Sequence, residues 1–199
     1  MWSLILKWKL RLKGVKYGAR LVANGPIVLR GEINRKTLKF GDDVLLQPYV
    51  DLKVRGNGKI LIGNGVQLDF GSRIVAAENT SVELGERVQL GYGSIINGGD
   101  DVEVLEGAAI ASNCLLQASE HVLPIPKDKD VVGSGYTRGK IHIGKSSWLA
   151  ANVVVRPNTS VGDYTVIGTF SIIQGDYDSR CTYAGLPAAK KISSHSKSE

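Results

Sequence analysis

Between residues 143 and 173 an aliphatic side chain falls on every sixth position: Ile143, Leu149, Val155, Val161, Ile167 and Ile173. A helix repeats near 3.6 residues and a strand at 2, so neither element alone carries a period of six. The same frame runs backwards through Phe40, Leu46 and Leu52, then Ile62, Leu68 and Ile74, then Leu84, Leu90 and Ile96, then Val104, Ile110 and Leu116. All eighteen positions are apolar in a chain that is 43% hydrophobic. Independent positions would do this with probability on the order of 10⁻⁷. Within each group the step is six, and between groups a few residues are inserted, so three hexads make one turn. A flat strand followed by a tight bend, three times per turn, builds a triangular prism in which each aliphatic stacks on its equivalent one coil away. The expected fold is all-β, a parallel β-solenoid of about six full turns with an irregular N-terminal one.

The residue after the aliphatic is often glycine (Gly41, Gly63, Gly85, Gly91, Gly144, Gly162, Gly168), and the fourth after it is often small or β-branched (Val44, Ser72, Ser94, Cys114, Thr159, Thr165, Ser171). The glycines, with Asn57, Asn64 and Asn79, are expected at corners that need unusual backbone angles. One break is much larger than the others. Between Leu116 and Ile143 the repeat needs a single hexad, so "VLPIPKDKDVVGSGYTRGKIH", residues 122–142, is expected to leave the prism as a loop. A loop of that length in a compact repeat usually serves function or is disordered. His121 stands at its base.

Charge is concentrated at one end. Lys7, Lys9, Arg11, Lys13, Lys16 and Arg20 precede the first acid, Glu32, so the net +6 belongs entirely to the N-terminal segment, and bases and acids balance over the rest. A nucleic-acid surface would spread its bases along the fold or interleave them with aromatics, and is not expected. Beside Trp2, Leu4, Ile5, Leu6 and Trp8, the bases suit either a solvated capping segment or a peripheral patch for anionic lipid. "KWKLRLK" alternates as a strand would, and "LIL" is too short to span a bilayer. The expected organisation is a basic amphipathic segment over 1–20, a solenoid domain over 21–178 with its loop at 122–142, and a C-terminal segment and tail over 179–199. The two cysteines, Cys114 and Cys181, lie far apart, and with no secretory leader the expected location is cytoplasmic, at most peripheral on a membrane.

The run "IGKSSWLAANVVVRPNTSVGDYTVIG", followed by "YAGLPAAKKI" and preceded by a histidine and an excursion ending "GYTRGKI", resembles the hexapeptide-repeat acetyltransferases, above all the O-acetyltransferases of bacterial polysaccharide and lipopolysaccharide synthesis. That resemblance implies a left-handed parallel β-helix, where the general crossover rule would have given a right-handed one. It also implies acetyl-CoA as donor and a saccharide as acceptor, His121 as general base, Trp148 beside the pantetheine arm, and a homotrimer with sites between subunits. Ala150 stands where the family pattern has glycine, Asn158 likewise, Leu186 where asparagine is common, and Ser134 where glutamine is frequent. Ala150 and Gly168 are candidates to border the donor, and Lys190 with Lys191 to meet its phosphates.

The chemistry points to the same histidine. Moving an acetyl group from a thioester to a hydroxyl requires taking a proton, and a neutral imidazole does so near pH 7. His142 falls on a surface strand and His195 in the tail. Too few histidines remain for a three-histidine metal site, and no metal is expected. Glu120, adjacent in sequence, or Asp101, equivalent to His121 in the hexad count, would orient the base. Alternatively Asp100 and Asp101 only satisfy corner amides. Tyr92, Asn97, Asp100 and Asp101 are the candidates to face a polar sugar, and backbone amides over 148–151 to hold the thioester oxygen. An amino-sugar N-acetyltransferase and a non-catalytic β-helix scaffold are the alternatives.

Overall fold

The computed structural model describes residues 1–125, 127–186 and, as a backbone strand, 190–194. His195 and the Pro187–Ala189 stretch of the family pattern lie outside the described residues. Three faces of short parallel strands wind into a prism of about seven turns. The first face carries Val22–Ala23, Leu45–Leu46, Gln67–Leu68, Gln89–Leu90, Ala109–Ile110, Trp148–Leu149, Val166–Ile167 and Cys181–Ala184. Lys190–Ser194 adds to it as an antiparallel edge. The second begins with Val28–Gly31 and Asp51–Arg55 and includes Ile95–Gly98 and Leu115–Gln117. The third runs from Leu38–Phe40 through Val102–Val104 to Ile141–Ile143. Near the C-terminal end Val154–Val161 and Ile172–Tyr177 pass from the second face into the third as single strands.

The register is the one the six-residue period implies. Leu46, Leu68, Leu90, Ile110, Leu149 and Ile167 stack in one column. Leu52, Ile74, Ile96, Leu116, Val155 and Ile173 form the second, and Phe40, Ile62, Leu84, Val104, Ile143 and Val161 the third. All eighteen are buried, none more than 3% exposed. The small or β-branched side chains four residues on are buried too, filling the corners beside each column. At roughly 1.5–3 kcal/mol for each fully buried aliphatic, these columns are the main favourable term for the fold.

Two expectations about local structure are corrected. The glycines that follow the aliphatics do not supply left-handed backbone. They let successive coils touch: a Cβ on Gly85 would sit 2.8 Å from the amide nitrogen of Glu106, and one on Gly91 would sit 2.7 Å from the carbonyl carbon of Ala111. Positive φ belongs instead to the third residue after the aliphatic, at Asp43, Tyr49, Gly65, Gly71, Arg87, Gly93, Gly107, Asn113, Ser146, Asn152, Asn158, Tyr164 and Phe170. Asn57, Asn64 and Asn79 are absent from that set. Their amides link coils, Asn57 donating to Asn79 at 3.2 Å and Asn64 accepting from the Asp42 N–H at 2.9 Å. The second correction concerns the N-terminus, where the alternating "KWKLRLK" is not a strand. Trp2–Leu12 is an α-helix, with Leu6 and Leu10 buried among Leu21, Ala23 and Ile27 of the first coil. That coil has no coil before it, so its core face needs a cover, and burial at i and i+4 favours the helix over the strand pattern.

Every inserted residue falls at one corner, between the second face and the third. The steps Leu52 to Ile62, Ile74 to Leu84 and Ile96 to Val104 are each longer than six, and the excursion between Leu116 and Ile143 leaves from the same place. Widening at successive levels along one edge makes a ledge on which a site can be built.

Candidate functional site

The excursion is a hairpin. Ser119–His121 pairs antiparallel with Tyr136–Arg138, His121 opposite Tyr136, and by Ile141 the chain is back on the third face. Glu120 anchors it by accepting two hydrogen bonds from Arg156 of the next coil, at 2.8 and 2.6 Å, and the guanidinium holds its carboxylate below the usual range. The His121 ring lies half-buried against Tyr136, centroids 4.5 Å apart. Its Nδ1 is buried and meets no hydrogen-bond partner among the described residues. A buried, unpaired ring nitrogen is costly unless something else completes it.

His121 opens on a cavity of about 520 Å³ that runs along the widened corner, lined also by Arg55, Glu78, Asn97, Gln117, Tyr136 and Arg138. Asn97 Nδ2 donates to Gln117 Oε1 at 3.1 Å, and Gln117 Nε2 to the Ser119 carbonyl at 2.5 Å, so a chain of amides forms one wall. Arg138 pairs with Glu78 at 2.6 Å across the mouth. Polar walls with donors and acceptors at several heights suit a ligand rich in hydroxyl groups.

The structure gathers only part of the predicted set here. Asn97 lines the cavity. Asp101 does not stack on His121: it accepts from the Ser81 N–H at 2.9 Å and pairs with Lys140 at 3.0 Å, contacts that keep its carboxylate below the usual range. Asp100 accepts from the Asp101 amide. Both satisfy corner groups, and neither they nor Glu120 orients the histidine. The hexad count fails at this corner because coils there differ in length, which puts Lys140, and not His121, one coil on from Asp101. Tyr92 stands at another corner, stacked on Phe70 at 5.7 Å, with Tyr49 beyond it. His142 is on the third face, its Nδ1 2.9 Å from Glu103.

The candidates for the donor lie on the first face. Trp148, half-exposed, closes one end of a groove of about 360 Å³ that reaches across Ala109, Gln89 and Gln67 to Leu45. Five coils, four steps of about 4.8 Å, make it roughly 19 Å long, enough for an extended arm. Ala150 is buried behind it, and its carbonyl accepts from Cys114 Sγ at 3.1 Å. Of the amides over 148–151, those of Trp148 and Ala150 donate to the carbonyls of Thr165 and Ile167 on the next coil and so are not free to hold the thioester oxygen. Gly168 packs against Ala184, where a Cβ would come to 2.8 Å. Lys190 begins the terminal antiparallel strand opposite Ala184. Because the first face is opposite the corner joining the other two, one chain holds Trp148 and His121 on different sides of the prism.

Arg55, Glu78, Gln117, Tyr136, Arg138 and Arg156 were given no role from sequence. Arg55 and Glu78 mark the places where the hexad frame breaks, and that break was the available signal.

Residues 140–175 match the family model described as bacterial transferase hexapeptide, six repeats. Over 86 residues the chain is 31% identical to a galactoside O-acetyltransferase of Escherichia coli K12, a stretch covering 43% of this chain and 41% of that protein. Over 46 residues it is 39% identical to the putative lipopolysaccharide biosynthesis O-acetyl transferase WbbJ of the same organism, covering 23% of this chain and 24% of that one. The matched stretches thus span less than half the length of these curated relatives. Among solved structures, the polySia-specific acetyltransferase NeuO aligns over 94% of this chain and 86% of its own, with TM-score 0.56 and 23% identity. AntD, an N-acyltransferase of Bacillus cereus solved with coenzyme A and dTDP-4-amino-4,6-dideoxyglucose, aligns over 96% and 90%, with TM-score 0.62 and 18% identity. The six-residue period and the stacked columns, with these likenesses in fold, describe a chain folded as a left-handed parallel β-helix, of which residues 140–175 match the hexapeptide-transferase family model.

Proposed function

We propose that the protein is an acetyl-CoA-dependent O-acetyltransferase acting on a sugar hydroxyl, assembled as a homotrimer with its sites between subunits. The observation that carries this reading is His121: a ring with a buried, unpartnered Nδ1 at the rim of a polar cavity. The ring as a whole is only half-buried and lines the cavity, where an acceptor can reach its open edge.

The acyl donor provides an activated thioester, and the long groove ending at Trp148 fits its extended arm. His121 accepts the proton of the acceptor hydroxyl as that oxygen attacks the acetyl carbonyl, and passes it to the departing thiolate as the C–S bond breaks. Asn97 and Gln117 hold the other hydroxyls of the sugar. Arg156, through Glu120, fixes the hairpin that carries the base. Since His121 and Trp148 of one chain lie on different sides of the prism, the groove of one subunit has to meet the hairpin of another. The galactoside and lipopolysaccharide enzymes named above support a hydroxyl acceptor. AntD, named for N-acyl transfer, keeps an amino sugar in the test.

Thiol release from acetyl-CoA, measured against a panel of saccharide and amino-sugar acceptors, decides the reaction class. With an accepted sugar, His121→Ala should lower kcat about 10²-fold or more and leave donor affinity nearly unchanged. Activity within a few-fold of the parent removes His121 from the mechanism. Turnover with amines alone replaces the O-acetyl reading.

A further inference from the structure

The helix Trp2–Leu12 is bifacial. At 3.6 residues per turn, Leu6 and Leu10 project to one side, and there they are buried, 3% and 0% exposed. Ser3, on the same side, shares hydrogen bonds with the Ala23 backbone. Leu4, Ile5, Trp8 and Leu12 fall within an arc of about 100° on the opposite side. All four are exposed, Leu4 at 73%, Trp8 at 62% and Leu12 at 68%. A helix needing only to cap the first coil has no use for this second apolar stripe. Polar residues would keep it in water at lower cost.

Charge selects the occupant. Lys7 and Arg11 flank the stripe on one side and Lys9 and Lys13 on the other, with Lys16 and Arg20 just beyond and no acid before Glu32. Arg20 pairs with Asp43, whereas Lys7, Lys9, Arg11 and Lys13 form no ion pair among the described residues. An apolar strip between two rows of unpaired bases complements a surface with apolar tails beneath anionic headgroups. It complements a second copy of itself poorly, because symmetric packing would oppose like charges. No described helix is long and apolar enough to cross a membrane, so contact of this kind would lie in the interface plane.

We infer that this helix is a docking surface for an anionic lipid bilayer, with Leu4, Ile5, Trp8 and Leu12 entering the headgroup boundary and the two basic rows meeting lipid phosphates. The long axis of the prism then stands away from the membrane, since the helix covers its N-terminal end. The inference is independent of the proposed catalysis.

The test is co-sedimentation of the full chain with vesicles of phosphatidylcholine alone and of phosphatidylcholine mixed with phosphatidylglycerol. The parent should bind the mixed vesicles and should be released by high salt. Because each base near an anionic surface contributes about fivefold in affinity, converting Lys7, Lys9, Arg11 and Lys13 together to Gln should weaken binding at least tenfold at low salt. A second variant, Leu4→Ser with Trp8→Ser, leaves Leu6 and Leu10 in place and should also weaken it at least tenfold, with an unchanged circular dichroism spectrum. Failure of the parent to bind mixed vesicles overturns the inference, as does binding unchanged by both variants. If the serine variant instead alters the sedimenting oligomer while vesicle binding persists, the stripe is a contact between copies and the lipid assignment is wrong.

Discussion

Tyr164 and Phe170 carry positive φ at corners, a conformation that disfavours bulky side chains. The regular hexad demands left-handed backbone at its third position whatever residue stands there, and the stacked columns hold it. Glycine serves two purposes in this chain that a sequence alone does not separate. Gly71 has φ +65° with open space around its Cβ position, whereas Gly85 has ordinary φ and backbone of the next coil in contact. Gly71→Asn should therefore be tolerated within about 0.5 kcal/mol, as asparagine already occupies the equivalent corner at Asn113 and Asn152. Gly85→Ala should cost about 1–3 kcal/mol and lower Tm by roughly 2–10 °C in thermal unfolding. An equally small shift for the two variants would show that contact with the next coil does not keep glycine at position 85. Among the columns, Ile96→Ala should be the more damaging kind of change, about 2–5 kcal/mol, because the coils on either side cannot close the gap.

The hairpin is the element on which the proposed chemistry depends, and it is held by few contacts. Two backbone pairings root it, Ala118 to Asn97 and Gly139 to Ala118, and Glu120 with Arg156 ties it to the next coil. Because this carboxylate titrates below its unfolded value, the pair is fully formed above the unfolded pKa and is lost as pH falls through the lower folded value. Glu120→Gln should thus cost about 1 kcal/mol at neutral pH, a Tm loss of about 2–4 °C. That difference should shrink as the scan is moved to acid pH. By loosening His121, the substitution should lower kcat about tenfold with less effect on the donor KM. An unchanged kcat would mean that the hairpin is positioned by other contacts. The position of the excursion and of His121 at its base was readable from the size of one break in the period. The partner of Glu120 was not, since Arg156 is 36 residues away and meets it only because the next coil passes beside the root of the hairpin.

At the scale of the whole molecule, the proposed roles of His121 and Trp148, on different sides of one prism, make the proposed activity a property of an assembly. Mixing His121→Ala with Trp148→Ala subunits, each impaired alone, should restore up to about a quarter of parental sites after exchange, because random pairing places the two intact residues together in that fraction. Additive, unrescued activity, or a fully active monomer in sedimentation, would place the site within one chain. The sequence by itself determined the coil, because a period of six written in aliphatic residues admits one way of burying them all, and the columns follow from counting. It also determined where the regular prism ends and the excursion begins. What only the tertiary structure decided lies where counting stops. Variable coil length at one corner moved Asp101 away from His121 and brought Arg55, Asn97 and Gln117 to one cavity. The N-terminal segment became a helix because the open end of the prism, a surface no local pattern reports, required Leu6 and Leu10 on one side. Periodic burial is local information repeated, whereas corners, ends and faces are set by chain segments distant in sequence.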